Sequence, residues 1–237
     1  MKILSLECSA TPASVAIIED GKILSSCYVN VKLTHSQTLL PMIESALKSA
    51  LLSINDIDGF AISNGPGSFT GVRIGISAIK GLSIAKNLPC VGVSTLYAMA
   101  QNFTDYDCIV CATMDARCNQ VYNALFDIKG GEVTRLCEDR ALMCDELLDE
   151  LLTLSQKGKT IIITGDGTDI FYPKAQNIQN VKKSQPQSRY QNAVGVGLTA
   201  RSYFENGNTV SAEELLPKYL RLPQAERELK EKEEKKL

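Results

Sequence analysis

The sequence predicts a mixed α/β protein in which one βββαβα unit occurs twice, giving two sheets flanked by helices. Three observations predict it. Strand-like runs rich in Ile, Leu and Val give way to helical periodicity in the same order in each half. A tight hairpin signal, Asp20-Gly21 and then Gly130-Gly131, follows the second strand of each set. With 237 residues and 44% hydrophobic content, the chain can also build two cores. The halves are read as 1–104 and 105–222, with a charged tail at 223–237.

The first half opens with strands at Lys2–Glu7, Ala13–Glu19 and Lys22–Val29. A helix over His35–Leu52, a buried strand at Gly59–Ser63, a helix over Thr70–Lys86, a strand at Cys90–Val93 and a helix over Ser94–Gln101 follow, with Pro89 ending the second helix. The second half places strands at Cys108–Met114, Gln120–Asp127 and Glu132–Cys137, a helix over Asp145–Leu154 and a strand at Thr160–Thr164. A helix near Ala193–Glu205 then leads to a return through Leu215–Leu222. The repeat is one of order and not of residue identity. The two sets imply mixed sheets, antiparallel at their starts.

Composition excludes several classes of function. Twenty-five Lys and Arg against 27 Asp and Glu leave a net charge of −2, so no overall field would hold a polyanion. No apolar run approaches the ~20 residues of a membrane span, and Glu7 interrupts the start too early for a secretory signal, so a cytoplasmic location is expected. Eight scattered cysteines read as reduced, mostly buried thiols. Cys108-x-x-Cys111 has no second pair or histidine cluster at ligand spacing, and no metal or cofactor is expected. The tail from Glu226 to Leu237, with five acids and five bases, reads as a solvated terminus.

The most unusual stretch is Asn64-Gly65-Pro66-Gly67-Ser68-Phe69-Thr70-Gly71-Val72-Arg73-Ile74-Gly75, between a buried strand and a helix. It is not a Walker loop, having no Lys-Ser/Thr after its glycines, and not a Gly-x-Ser-x-Gly elbow, having Phe69 at the centre. A turn and cap that aim the next helix, or an anion held by helix-start amides, remain. On that helix Gly71, Gly75, Ala78, Leu82 and Ala85 share a face, and each interior glycine costs roughly 1 kcal/mol relative to Ala. Close packing by another helix is the expected compensation.

On His35–Leu52, residues Leu39, Leu40, Met42, Ile43, Ala46, Leu47, Ala50 and Leu51 span nearly half the circumference, beyond the ~100° stripe of core packing. The surplus is a patch for a second chain, or is covered by a loop. His35, the only histidine, flanked by Thr34 and Ser36, opens the helix. Asp115 and Arg117 can pair with each other, bind a ligand or engage a partner. Gly165-Asp166-Gly167 is either a turn or a nucleotide-edge loop.

Taken together, these residues resemble the TsaB (YeaZ) family, the non-catalytic member of the machinery that makes threonylcarbamoyladenosine in tRNA. The stretch Gly65–Gly75, preceded by His35-Ser36-Gln37-Thr38-Leu39-Leu40-Pro41 and followed by Gly92-Val93-Ser94-Thr95-Leu96, matches the family pattern in order and spacing. So do Asp115-Ala116-Arg117, Gly165-Asp166-Gly167 and Pro217-Lys218-Tyr219-Leu220-Arg221. The resemblance implies the duplicated actin, Hsp70 and sugar-kinase (ASKHA) fold. It also implies a TsaD-like paralogue as partner, bound through the first two helices at Leu39, Leu40, Ile43, Leu47, Gly71, Gly75, Ala78 and Leu82. TsaE-like and TsaC-like proteins would be further members of the pathway, the chain alone would form a homodimer, and tRNA would be met only through the complex.

Two departures bear on chemistry. ATP-hydrolysing members of the fold follow their first strand with an Asp and a glycine-containing phosphate loop; here the turn reads Glu7-Cys8-Ser9-Ala10-Thr11-Pro12, and TsaB relatives usually have Asp where Glu7 stands. TsaD carries paired histidines four apart on its first helix, whereas the position four after His35 is Leu39. The expected role is a scaffold that supports TsaD in transferring threonylcarbamoyl to the adenosine beside the anticodon. The alternative is an independent ATP-dependent or glycoprotease-like (M22-type) enzyme working through Glu7, Asp115 and Gly165–Gly167. Direct contact with tRNA would fall to Lys230–Lys236.

Overall fold

The computed structural model describes residues 1–221; Leu222 and the tail at 223–237, with Lys230–Lys236, lie outside the described residues. The first half contains β1 (Lys2–Glu7), β2 (Ala13–Glu19), β3 (Lys22–Val29), α1 (His35–Ser49), β4 (Gly59–Gly65), α2 (Phe69–Ile84), β5 (Cys90–Ser94) and α3 (Thr95–Ala100). Its sheet runs β3-β2-β1-β4-β5. The first three strands are antiparallel, and β4 and β5 lie parallel to β1.

The second half repeats this order with β6 (Cys108–Asp115), β7 (Gln120–Lys129), β8 (Glu132–Arg135), β9 (Arg140–Met143), α4 (Cys144–Ser155), β10 (Ile161–Thr164), α5 (Thr168–Ala175), β11 (Val181–Lys183), α6 (Pro186–Arg189) and α7 (Ala193–Glu205). Its main path is β8-β7-β6-β10-β11, the same antiparallel-then-parallel succession. No helix among the described residues is long and apolar enough to cross a membrane.

Several elements differ from the sequence expectation. The strand expected over Glu132–Cys137 ends at Arg135 as β8, and a further strand, β9, follows it; the two pair with opposite ends of β7. The break lets Asp139 turn inward, where its carboxylate takes hydrogen bonds from Arg135 Nη1 and from Ser94 Oγ, each at 2.6 Å. Helix α5 carries Pro173 in its interior, which removes a backbone donor, and α6 and β11 are only four and three residues long. The return through Leu215–Leu222 is an irregular strap over residues 210–221, which begins with a bridge between Val210 and Cys90.

Alternation along β1 sets up the layers. Leu4, Leu6 and Cys8 enter a core with α1 and α2, whereas Ile3 faces a second core that holds Ala61, Ala98, Val196 and Ala200. Helices α3 and α7 form the middle layer, and each packs on the sheet of the other half. Leu96 and Met99 of α3 join Val110, Ala112 and Phe126, while Ser5 and Ser14 tie the start of α7 to β1 and β2. Ser5 Oγ donates to Ala193 O at 2.7 Å, and Ser14 Oγ accepts from Ala193 N at 2.7 Å. The far face of the second sheet packs on α4 and α5 through Cys111, Leu147, Leu151 and Phe171. Cys108 and Cys111 therefore sit on opposite faces of β6 and do not converge on a common ligand position.

The two middle helices meet backbone to backbone at Gly195, where any Cβ would overlap Ala98 O. Gly195→Ala is therefore expected to lower stability by roughly 1–3 kcal/mol, an overpacking cost. Gly81 in α2 faces open space, so Gly81→Ala should raise stability by about 0.5–1 kcal/mol. Urea unfolding of the two variants checks the contrast.

Candidate functional site

Between the halves, beyond the carboxyl ends of β1, β4, β6 and β10, lies a cleft of about 680 Å³. The loop before α2 forms one wall. Ser68 caps that helix by accepting from Gly71 N at 3.3 Å, and its own N–H donates to Ser9 O at 2.6 Å. The strap forms another wall. Lys218 N donates to Asn64 O at 2.7 Å, Tyr219 stacks on Phe69 with centroids 4.1 Å apart, and Arg221 Nη1 reaches Ala116 O of the second half at 2.6 Å.

Glu7 ends β1 but does not line this cleft: it is 0% exposed. Its Oε1 accepts from Ser9 N at 2.6 Å. Burial pushes its carboxyl well above the usual range, the Ser9 and Ser63 hydroxyls work against that rise, and the charge of Asp166 adds to it. Asp115, at the end of β6, holds the turn to β7: Arg117 N donates to Oδ1 at 2.7 Å and the guanidinium pairs with Oδ2 at 3.3 Å.

Gly165, at φ +97°, and Gly167 form a turn pressed on β6. Gly167 N donates to Thr113 O at 3.2 Å, and a Cβ on Gly167 would come within 2.9 Å of the Met114 backbone. Asp166 between them lines the cleft and accepts from Gln191 Nε2 at 2.7 Å. Lys32, Lys218 and Arg221, which also line the cleft, were not singled out from the sequence as site residues. Lys218 and Arg221 belong to the Pro217–Arg221 stretch of the family pattern, to which the sequence alone assigns no role at a cleft, and no pattern marks Lys32.

The eight residues expected on the association face divide. Leu39 and Ile43 are buried in the core under α1, and Gly71 and Gly75 are buried too. The expected close packing is real, but its main partner is a strand end and not a helix. A Cβ on Gly71 would overlap Cys8 O and lie 3.0 Å from His35 Cδ2; one on Gly75 would overlap Cys8 Sγ and lie 2.5 Å from Ile62 Cδ1. A bulky side chain at Gly75 therefore disturbs the fold itself. Leu47, Ala78 and Leu82 are half-buried at the margin of the core, and Leu40 is 52% exposed. His35 opens α1, with Nε2 2.9 Å from Ala10 O, so that nitrogen carries the proton.

Two sheets of equal strand order around a cleft, each covered by a helix from the other half, define the two-lobed ASKHA class. Within that class the chain belongs to the TsaB (YeaZ) family. Residues 30–229 match the family model described as TsaD, tRNA N6-adenosine threonylcarbamoyltransferase. The chain is 31% identical to the tRNA threonylcarbamoyladenosine biosynthesis protein TsaB of Escherichia coli (strain K12) over 223 residues, 93% of this chain and 95% of that one. It is 27% identical to the protein of that name from Bacillus subtilis (strain 168), over 95% of this chain and 96% of the relative. The structure of YeaZ from Pseudomonas aeruginosa superposes with a TM-score of 0.77 at 28% identity, covering 92% of this chain and 99% of that one.

The Asp166 carboxyl is pushed up to about 6 from 3.8, chiefly by desolvation, with Asp115 adding to the rise and the Gln191 hydrogen bond opposing it. A raised folded pKa contributes stability that is complete below the unfolded value of 3.8 and is lost as pH rises through about 6. Asp166→Asn, which keeps the neutral shape, should make the stability loss between about pH 4 and pH 7 smaller by on the order of 2 kcal/mol, allowing for solvent at its outer side. Glu7, raised in the same direction, leaves a residual slope. Urea midpoints across that pH range measure the difference.

Proposed function

We propose that this chain is a non-catalytic scaffold subunit: it binds a TsaD-like paralogue through the outer faces of α1 and α2 and supports transfer of threonylcarbamoyl to the adenosine beside the anticodon of tRNA. Membership of the TsaB family ties the chain to threonylcarbamoyladenosine biosynthesis. Alone, it pairs with a second copy of itself through the same face. TsaE-like and TsaC-like proteins act in the same pathway, and tRNA is met through the complex, in the cytoplasm.

The observation that carries this reading is the apolar exposure along the helix pair. The two helices run side by side in one direction: His35 lies against Gly71 at their starts, and Lys86 Nζ, just beyond α2, donates to Asn55 O at 2.8 Å at their ends. Leu40 is 52% exposed, Ile84 67% and Leu51 92%. Leu51 also holds a left-handed backbone, φ 57°, as the chain leaves α1, where its N–H caps Lys48 O at 3.1 Å. Glycine or asparagine suits that position, and a solvated leucine there carries a backbone penalty of about 1 kcal/mol with no core contact to offset it. A protein partner covering the side chain supplies the missing gain.

The walled-off Glu7 supports the same conclusion, since a carboxyl closed from the cleft cannot touch a substrate. The enzymatic alternative would need that group to reach the cleft.

Leu40→Glu and Leu51→Glu are each expected to weaken association with the TsaD-like paralogue, and self-association, by on the order of tenfold or more. Melting temperatures should stay near that of the unaltered chain, because both side chains are exposed. Light scattering coupled to sizing, and titration calorimetry with the paralogue, read both effects. Unchanged association in both variants, or ATP turnover by the lone chain, would defeat the scaffold reading.

A further inference from the structure

The two halves are fastened to each other outside the cleft, at the point where β5 passes into α3. Ser94, the last residue of β5, caps that helix. Its Oγ accepts from Tyr97 N at 3.2 Å and donates its own proton to Asp139 Oδ2 at 2.6 Å, which uses the hydroxyl in both directions. Asp139 lies in the connection between β8 and β9 of the second half, and its Oδ1 takes a hydrogen bond from Arg135 Nη1 at 2.6 Å. None of these three side chains lines the cleft.

Aromatic rings hold the same cluster from the side. The Arg135 guanidinium lies over Phe126 at 4.9 Å and over Tyr97 at 5.7 Å, and its Nη1 also donates to Cys137 O at 3.2 Å. Tyr97 meets Phe126 edge-on with centroids 5.4 Å apart, and its hydroxyl donates to Val133 O at 3.2 Å. The Asp139 side chain is 7% exposed, so water and salt screen little of this attraction, and a hydroxyl donating to a carboxylate at 2.6 Å is a charge-assisted bond, stronger than a neutral one. Among the described residues no ion pair joins the halves; the charge of Asp139 acts across the seam through Ser94 Oγ.

We propose that Ser94, Asp139 and Arg135 form an interlobe latch that holds the two halves at one separation, so that the chain moves as one rigid body and does not hinge. For the halves to swing apart, the end of β5 must leave the connection between β8 and β9. That movement breaks the Ser94 to Asp139 bond and pulls Tyr97 from Phe126 and Val133. The strap adds a tie at a different place: it lies on the first half through Lys218 N and Asn64 O, and on the second through Arg221 Nη1 and Ala116 O. A rotation of the halves therefore breaks one of the two ties unless its axis runs through both. A body with no interlobe freedom has none to lose when a partner covers one of its faces. The latch stands whichever face that is.

Double electron–electron resonance on the full chain tests the latch. Spin labels are carried on p-acetylphenylalanine introduced at Lys32, just after β3, and at Ile170, in α5; both positions are exposed, and ketone labelling leaves the native thiols untouched. Dilution with excess unlabelled chain confines the signal to distances within one molecule. The unaltered chain is expected to give one narrow distance distribution. Asp139→Ala, which spares the helix cap, and Ser94→Ala should each lose it to a broad one while circular dichroism stays that of the folded chain. Ser94→Thr, which keeps the hydroxyl, should retain it. A broad or two-peaked distribution in the unaltered chain overturns the proposal without any variant. So does a narrow distribution that survives in Asp139→Ala or in Ser94→Ala.

Discussion

The close approach of α2 to the end of β1 governs much of what the rest of the molecule does. Only hydrogen at Gly71 and Gly75 lets the helix settle against Cys8 and Ile62. That contact presses the loop at Gly67 and Ser68 onto Ser9, which makes one wall of the cleft, and it brings His35 beside Gly71, which starts α1 parallel to α2. A larger residue at either glycine would lift the helix, open the cleft floor and splay the pair. The cleft wall and the proposed partner face are therefore two sides of one packing decision.

This shared origin gives a route for coupling. The first turns of α1 and α2 carry His35, Phe69 and Thr70 to the cleft, while Leu40 and Ile84 look outward from the same helices. A chain pressed against the outer face acts on the elements that shape the cleft wall. The strap adds a second tie, since it lies on the first half through Lys218 and Tyr219 and ends on the second half through Arg221.

Much of the fold was legible in the sequence because its signals are local. Runs of Ile, Leu and Val along β1 and β2, which are buried on both faces, and the hairpin glycines give the antiparallel starts, and the same order of elements recurs after residue 104. What escaped was non-local or too short. Three residues of β11 ending in Lys182 and Lys183 carry no strand pattern of their own, and Asp139, between β8 and β9, is held by Ser94, which is distant in sequence. At the site, the glycine spacing on α2 correctly indicated close packing but could not say that a strand end supplies the contact. Leu39 and Ile43 lie on the apolar arc of α1 as surely as Leu40 does, and periodicity alone does not say where the core ends. Lys32, Lys218 and Arg221 meet only because the strap crosses the cleft.

The exchanged middle helices have a consequence for synthesis. When residues 1–104 have left the ribosome, one face of their sheet still lacks α7 (Ala193–Glu205), the helix that supplies the apolar side chains for that face and whose first residue Ser5 and Ser14 anchor. Helix α3 meanwhile waits for β6 and β7. The nascent chain therefore carries a greasy, half-clothed sheet until nearly all of it has been translated, a period of vulnerability to aggregation that a chaperone would have to cover. The first lobe reaches its final packing only when this last helix arrives.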